Sequence, residues 1–410
     1  MTDKEKKIPM PKELTEAGLQ TQTEMLPVRQ EQGKMCIGIP RELGEYENRV
    51  ALVPASIGTL VGRGHRVLVQ EGAGQGTNYK DNRFSAEGAE IIHAAESLYR
   101  QADIIVKAAP PAFEELDLMR PGQILISPLQ LPTVTEQYLH KLLNKRIIAL
   151  AMEYIRDEDG SFPIVRIMSE MAGVSAMLTA ADLMRNTRGG KGVLLGGISG
   201  VPSAKVVILG AGVVAEFATR VALGLGAEVR IFDNNVRKLM RIQTEVGHQL
   251  NTSTMNPRQM AKEIKSADVV IGAIHSKTGR TPMVVSEEVV ANMKRGAVII
   301  DVSIDQGGCF ETSRVTTHHD PTFIVHDVIH YCVPNIASSV SRTASIAVSN
   351  ILTAMLLDAG ETANIERHLF DSNGLRHGVY AFKGRLTNEY LGQRFNIKYT
   401  DLSLLLTSEL

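Results

Sequence analysis

The chain has 410 residues, 44 basic and 45 acidic side chains, and a formal net charge of −1 at pH 7. At roughly 100–200 residues per domain, this length predicts two domains. The near-neutral charge argues against nucleic acid or an anionic membrane surface as the main partner. No apolar run comes close to the ~20 residues needed to cross a bilayer, so a cytoplasmic protein is expected.

The first half of the chain is predicted to form one α/β domain. Residues 1–34 are polar and carry no apolar signal-peptide core, so we expect an N-terminal arm. Beyond it, short apolar runs alternate with helix-length segments, and the expected strands are 35–40, 66–70, 103–107, 123–127 and 146–152. This alternation is typical of a mainly parallel sheet with helices on both faces.

A helix over 169–185 is expected to lead into a second α/β domain. Four β-branched runs with helical spacers follow it, at 205–209, 228–232, 268–272 and 297–301. Their rhythm is that of a doubly wound sheet. The sequence therefore predicts two Rossmann-like doubly wound domains with a cleft between them. The first spans 35–163 and is completed by 341–410, and the second spans 164–340.

A dinucleotide-binding motif opens the second domain. The strand ending at Leu209 runs into Gly210-Ala211-Gly212-Val213-Val214-Ala215 and then into a helical pattern. Gly210 permits the tight turn, Gly212 lets a pyrophosphate approach the backbone, and Ala215 is small where helix and strand pack. Asp233 ends the next strand, where a carboxylate accepts hydrogen bonds from ribose hydroxyls and repels a 2′-phosphate. The motif predicts NAD rather than NADP.

Residues ~35–355 resemble the alanine dehydrogenases, a family that includes the NAD(H)-binding component of proton-translocating transhydrogenase. The resemblance is carried by the runs 38–42, 47–51, 72–76, 168–173, 304–311 and 326–335. It implies oxidation of L-alanine by NAD⁺ and water to pyruvate and ammonia, a small-molecule substrate, domain closure and a homo-oligomer, often a hexamer. The last two runs favour alanine dehydrogenase over transhydrogenase.

The resemblance also assigns roles to individual residues. Arg49 matches the arginine that binds the substrate carboxylate, and Asp305 matches the aspartate beside the nicotinamide that helps to activate water. Asn335 matches a residue on the substrate or nicotinamide side. Ser169 matches a contact of the dinucleotide phosphates, and Lys238 matches a residue near the adenosine ribose.

Two family positions differ. A lysine that binds the substrate carbonyl oxygen is Ala109 here, in the run Lys107-Ala108-Ala109-Pro110-Pro111, and a neighbouring histidine is Gln130. An amide exchanges no proton near neutral pH. Three alternatives stay open. Lys107 or another cation replaces the lysine, or the substrate is different, or the chain binds NAD(H) without dehydrogenase chemistry.

No metal site is expected. Cys36, Cys309 and Cys332 lack metal-ligand spacing, and the adjacent pair His318 and His319 cannot easily ligate one ion. Arg314 is either a second cation on the substrate side or an exposed loop residue.

Overall fold

The computed structural model describes residues 35–44, 46–131, 133–276, 280–361 and 372–407. The predicted N-terminal arm lies outside these residues. Within them the chain forms two separate, mainly parallel sheets, which confirms the predicted fold class.

The first sheet has eight strands in the order β15-β14-β6-β5-β4-β1-β2-β3. Its parallel strands are β1 (Cys36–Ile39), β2 (Arg66–Gln70), β3 (Glu90–Ile92), β4 (Ile104–Val106), β5 (Ile124–Ser127) and β6 (Ile148–Ala151). Two strands from much later in the chain extend it, β14 (Val379–Phe382) and β15 (Arg385–Leu386). β14 pairs antiparallel with β6, and β15 pairs antiparallel with β14.

The second sheet has seven strands in the order β12-β13-β11-β10-β7-β8-β9. They are β7 (Lys205–Leu209), β8 (Glu228–Phe232), β9 (Asn251–Ser253), β10 (Val269–Gly272), β11 (Val298–Asp301), β12 (Thr322–Val325) and β13 (Val328–Tyr331). All neighbouring pairs are parallel except β12 with β13.

Helices separate the strands. In the first half they are α1 (Pro54–Gly62), α2 (Asp81–Ala86), α3 (Ala95–Gln101), α4 (Glu115–Leu118), α5 (Glu136–Asn144) and α6 (Pro163–Leu183). In the second half they are α7 (Val213–Gly224), α8 (Val236–Val246), α9 (Pro257–Ser266), α10 (Glu287–Ala291), α11 (Ser341–Glu361), α12 (Asn373–Arg376), α13 (Glu389–Phe395) and α14 (Leu402–Thr407).

The strand order places a crevice at the same point of each sheet. In both sheets the order reverses beside the first strand, between β1 and β4 and between β7 and β10. Ligands of doubly wound sheets bind outside the carboxyl ends of the strands at such a reversal. The segments after β1 and β4 carry Arg49 and Ala109, while the segment after β7 carries the glycine motif.

Two long helices connect the two sheets. The first turn of α6 adds Ile164 to the core of the first sheet, and its later turns add Ala176 and Ala180 to the core of the second. α11 returns to the first core with Leu352 and Leu356. α6 begins six residues before the predicted start, at Pro163, because proline suits the first turn of a helix.

These helices overturn one expectation from the sequence. Residues 163–183 and 336–360 are long and apolar enough to cross a bilayer by length and composition, with mean hydropathies of 1.3 and 1.4. The expectation that no run approached this length was therefore wrong. Small residues such as alanine raise the mean hydropathy of α6 while it packs between the two cores.

Candidate functional site

The glycine motif forms a tight turn between β7 and α7. Gly210 has φ +107°, and a Cβ atom there would lie 2.3 Å from the carbonyl oxygen of Ala273, so only glycine fits. Gly212 stands immediately before α7, and the space where its Cβ would point is open. Ala215 is fully buried in the core of the second sheet. The turn therefore leaves the first amide groups of α7 accessible to an anion.

Asp233 follows β8 and lies against this turn. One carboxylate oxygen accepts the amide hydrogen of Ala211 at 2.8 Å, and the other accepts that of Asn235 at 2.7 Å. Because a carboxylate has about four acceptor positions, both oxygens retain capacity for hydroxyl donors. Lys238 is exposed in the first turn of α8. The side chain of Asn235 caps this helix by accepting the amide hydrogens of residues 237 and 238.

His275 lies on the same side of the second sheet as Lys238. The protein around the imidazole and the charge of Lys238 both lower the pKa of His275. Nothing in the sequence around His275 singles out this residue, because the two segments come together only through the pairing of β10 with β7 and of β7 with β8. Ser169 lies half-buried on α6, the helix that packs against α7.

Arg49 is held by a carboxylate on its own segment. Glu47 accepts hydrogen bonds from Arg49 Nε at 2.7 Å and Nη2 at 2.6 Å, and both side chains are 7% exposed. Nη2 also donates to the carbonyl oxygen of Ala108 at 3.1 Å. Nη1 contacts the sulfur of Met168 at 3.9 Å. The edge formed by Nε and Nη2 is thus occupied. Within the described residues, the N–H groups of Nη1 have the weakest contact with protein.

Asp305 and Asn335 approach Glu47 from the second sheet. The amide hydrogen of Asn335 donates to Asp305 Oδ1 at 2.9 Å, and Asn335 Nδ2 donates to Glu47 Oε2 at 3.3 Å. Asn335 has φ +52°, a conformation that asparagine tolerates better than most residues. Asp305, Asn335, Glu47 and Arg49 therefore form one cluster between the two sheets.

The environment of Asp305 changes its proton affinity. Its side chain is exposed to solvent, although neighbouring protein atoms reduce the hydration of its carboxylate. This desolvation raises the pKa of Asp305 above its ordinary value, and the charge of Asp301 raises it further. The amide of Asn335 and the charge of Arg49 act in the opposite direction without cancelling the increase.

Asp301 supports the turn that carries Asp305. Its buried carboxylate accepts hydrogen bonds from the amides of Ser303 and Cys309 at 3.0 and 2.9 Å and from Ser313 Oγ at 2.7 Å. The turn 302–308 is therefore fixed at both ends. Asp301 ends a predicted strand, but its partners come from the loop beyond, so sequence reasoning missed it.

Lys107 does not replace the lysine missing at position 109. Its ammonium is fully buried and lies 2.9 Å from both Glu42 Oε2 and Glu115 Oε1. Glu115 also accepts a hydrogen bond from Tyr99 at 2.9 Å. Burial alone lowers the pKa of Lys107, but the two carboxylates outweigh it and the pKa lies above its ordinary value. The lysine is a charged part of the interior rather than a group facing the cleft.

Gln130 lies on a turn that a second carboxylate holds in place. Gln130 has φ +53°, and its amide and that of Leu129 donate to Glu153 at 3.0 and 2.9 Å. Burial raises the pKa of Glu153 despite these hydrogen bonds. The turn is thus well defined, although the side chain that it presents cannot exchange protons.

Arg314 is engaged away from Arg49. Its guanidinium lies 4.3 Å from the ring centroid of Phe323, which stacks on His330 at 4.9 Å. This contact favours the interpretation of Arg314 as a loop residue with a structural contact.

Two family models cover most of the chain. The model described as alanine dehydrogenase/PNT, N-terminal domain, matches residues 38–172, and the corresponding C-terminal domain model matches residues 176–389. The alanine dehydrogenase of Mycolicibacterium smegmatis is 39% identical over 90% of this chain and 98% of its own length. That of Methanococcus maripaludis is 38% identical over 89% and 98%.

Solved structures show the same relationship. An L-alanine dehydrogenase structure with 34% identity has a TM-score of 0.83 and covers 88% of this chain and 99% of its own. A transhydrogenase from Sinorhizobium meliloti shares the fold with a TM-score of 0.74 at 23% identity, over 86% and 99%. With both family models matched and both sheets in place, the chain belongs to the alanine dehydrogenase/PNT family.

Proposed function

We propose that the chain is an NAD-dependent dehydrogenase that converts L-alanine, NAD⁺ and water to pyruvate, ammonia and NADH. The observation that carries this proposal is the cluster of Arg49, Glu47, Asp305 and Asn335 between the two sheets. The cluster contains Arg49, a cation that can bind the substrate carboxylate, and Asp305, a carboxylate with a raised pKa. Its residues come from both halves of the molecule. The relatives named alanine dehydrogenase support this assignment.

NAD fits the residues of the second sheet. Gly210 and Gly212 leave room for a pyrophosphate against the start of α7, and Asp233 retains acceptor capacity for the ribose hydroxyls. When bound, NAD⁺ supplies the hydride acceptor. We place Ser169 and Lys238 at the phosphates and at the adenosine ribose, as the family resemblance implies.

The residues of the cluster would bind and orient the substrate. Arg49 Nη1 would donate to the substrate carboxylate, because Glu47 and Ala108 occupy the other guanidinium donors. Glu47 fixes the guanidinium plane and thereby the direction of the carboxylate. Asp305 would accept a proton from water as the water adds to the iminium carbon, and its raised pKa makes it a stronger base for this step.

A second candidate function is an NAD(H)-binding protein that does not oxidise alanine. The observation that favours it is the absence of a lysine at position 109, combined with the burial of Lys107 between Glu42 and Glu115. Among the described side chains, no other lysine contacts this cluster. A substrate that needs no cation at its carbonyl oxygen is the third possibility.

A single assay separates these functions. Purified protein is mixed with NADH, pyruvate and ammonium, and oxidation of NADH is followed by its absorbance, with NADH binding measured separately by fluorescence. Turnover with pyruvate supports the alanine reaction. Tight NADH binding without turnover contradicts it, and a panel of other 2-oxo acids then distinguishes a changed substrate from a binding protein.

We also propose a cytoplasmic homo-oligomer with domains over 35–163 plus 341–410 and over 164–340. Exposed apolar side chains on one loop, Leu194, Ile198 and Val201, support self-association. Light scattering of the purified chain gives the oligomeric state, and a monomer at micromolar concentration would contradict the proposal.

A further inference from the structure

His318 lies in the cleft beside the cluster that binds the substrate in the proposed function. It belongs to the loop between β11 and β12, and its ring centroid is 6.3 Å from that of Tyr46, which follows β1. Tyr46 and His318 thus meet across the cleft between the two sheets. A turn within the loop fixes the position of the histidine, because the amide of Asp320 donates to Thr317 Oγ1 at 3.1 Å.

The two ring nitrogens of His318 have different surroundings. The imidazole lies near the backbone of Asn335, the residue that joins Asp305 to Glu47. Nε2 is shielded from bulk water and has no hydrogen-bond partner among the residues that the structure describes. Nε2 is therefore the nitrogen left for a ligand.

A buried ring nitrogen without a partner is costly unless something else satisfies it. A water or substrate atom held between Arg49 and Asp305 would meet that need. Burial lowers the pKa of His318, while the backbone of Asn335 and the charge of Glu47 raise it to a smaller extent. In the tautomer that carries its proton on Nδ1, the neutral ring presents a basic Nε2.

We propose that His318 is a proton-transfer residue of this cleft and supplies the imidazole that position 130 lacks. This inference rests on the proposed dehydrogenase function. Position 130 and position 318 lie in different halves of the molecule, so the imidazole would approach the substrate from the side of Asp305 rather than from the first sheet.

The proton balance of the step is simple. As water adds to the iminium carbon, the new C–O bond forms, the C=N π pair moves to nitrogen, and Asp305 takes one proton from the water. Asp305 returns that proton to the amine nitrogen. Nε2 of His318 then takes the hydroxyl proton as the C–N bond breaks, which leaves the ketone and ammonia, and the ring releases its proton to solvent.

Few charged groups lie around His318 within the part of the chain that the structure describes. The charge of Glu47 acts directly on His318. Arg49 lies one contact further away through Glu47, and Asp305 does so through Asn335. Asp320 lies in the same turn as His318. Arg49 and Glu47 together carry no net charge, so the protonation of His318 is not strongly opposed.

The neighbouring histidine provides a matched control. His319 is exposed, while His318 is half-buried, so the variants His318→Asn and His319→Asn make the same chemical change one residue apart. Asparagine keeps an amide nitrogen near the Nδ1 position and removes Nε2. NADH oxidation with pyruvate and ammonium is measured from pH 6 to pH 10, together with NADH affinity and the melting temperature.

His318→Asn is expected to lower kcat by ~10²–10⁴-fold, the usual range for loss of an acid–base group, and to remove one ionisation from the pH profile of kcat/KM. NADH affinity and melting temperature should match those of His319→Asn, which should retain the parent activity. Adding Gln130→His to His318→Asn should recover part of the loss, because it returns an imidazole to the cleft.

Two results would overturn the inference. If His318→Asn keeps kcat within threefold of the parent, His318 transfers no proton. If activity falls but the pH profile keeps its shape, the role is structural. A third result concerns the parent chain. If the parent binds NADH but does not turn over pyruvate, both the proposed function and this inference are wrong. If the parent turns over pyruvate and His318→Asn is unaffected, only this inference is wrong.

Discussion

The dinucleotide side and the substrate side of this molecule differ in how much of the family pattern they retain. At the glycine turn, backbone geometry, the open space at Gly212 and the carboxylate of Asp233 all fit one class of ligand. At the substrate side, Arg49 and Asp305 lie in one cluster, but Ala109 and Gln130 stand where the family resemblance implies a lysine and a histidine. The polypeptide around those two positions remains firmly held.

Buried carboxylates hold the backbone around both positions. Glu153 accepts the amide hydrogen of Gln130, and Glu42 accepts the amide hydrogen of Ala108 at 2.6 Å. The backbone of the substrate side is therefore well supported next to the two positions that differ from the family resemblance. This pattern indicates that the cleft keeps a defined backbone but lacks one acid–base side chain and one cation. The four predictions below test this comparison.

The largest effect is expected for Asp305→Asn. The amide keeps the size of the side chain but cannot accept a proton, so turnover should fall by ~10²–10⁴-fold with little change in NADH affinity. The raised pKa of Asp305 also predicts that parent activity declines with falling pH at a pKa above the ordinary 3.8, since the carboxylate must be deprotonated to act. Stopped-flow measurement of kcat/KM against pH checks both statements.

A parent profile that is flat down to pH 4 would contradict the second statement. Glu311→Gln serves as the control, because Glu311 is an exposed carboxylate that accepts the amide hydrogen of Glu287 at 2.7 Å, away from the cluster. It should leave turnover unchanged.

Lys107→Met should act on stability rather than on substrate affinity. Removal of the ammonium leaves Glu42 and Glu115 buried without a counter-charge, which costs about 3–5 kcal/mol for a broken buried ion pair. Chemical denaturation of the variant measures this loss. Lys294→Met is the control, since Lys294 is partly exposed and shares Asp268 with Lys191. Equal stability of the two variants would mean that Lys107 is not an internal counter-charge.

Gly212→Ala should weaken NADH binding without disturbing the fold. Its φ is −82° and no atom lies within 4 Å of the added methyl group, so the free protein accommodates alanine. The methyl group would meet the pyrophosphate, and we expect a loss of affinity of roughly tenfold to a hundredfold, or about 1.4–2.8 kcal/mol. Fluorescence titration with NADH and the melting temperature measure the two quantities.

The matched variant Gly210→Ala should lower the melting temperature as well, because its methyl group would meet the carbonyl oxygen of Ala273. If both variants melt alike and bind NADH alike, the two glycines do not have the separate roles assigned to them.

The smallest effect is expected for the double variant Ala109→Lys with Gln130→His. It returns the lysine and the histidine to a cleft whose backbone is already in place, and should raise kcat/KM for pyruvate by about tenfold, or ~1.4 kcal/mol of transition-state stabilisation. Each single variant provides the comparison. A fall in activity would indicate that the cleft has adapted to a different substrate.

The sequence predicted those features that depend on neighbouring residues. The strand before Gly210, the helix after it and Asp233 at the end of the next strand are local patterns, and the structure places them together. Likewise, the short apolar runs of the first 160 residues predicted most of the first sheet.

The remaining features depend on contacts between distant segments. The bidentate pairing of Glu47 with Arg49 is close in sequence, but nothing in the run Glu47-Asn48-Arg49 specifies a buried ion pair. The sequence leaves Lys107 open as a replacement cation, and only its contacts with Glu42 and Glu115, which come from other segments, place it in the interior. Residues beyond 360 lacked periodicity, since their strands are only four and two residues long.

The antiparallel extension of the first sheet has a consequence for how the molecule is made. β6 acquires its neighbour β14 only after every strand of the second sheet has been synthesised. A ribosome therefore exposes a complete second sheet while the first still has an unpaired strand and lacks the apolar face of α11. Domains commonly fold in the order of synthesis. In this chain the second sheet can fold first, while one edge of β6 in the first sheet stays unpaired until β14 and β15 have been synthesised.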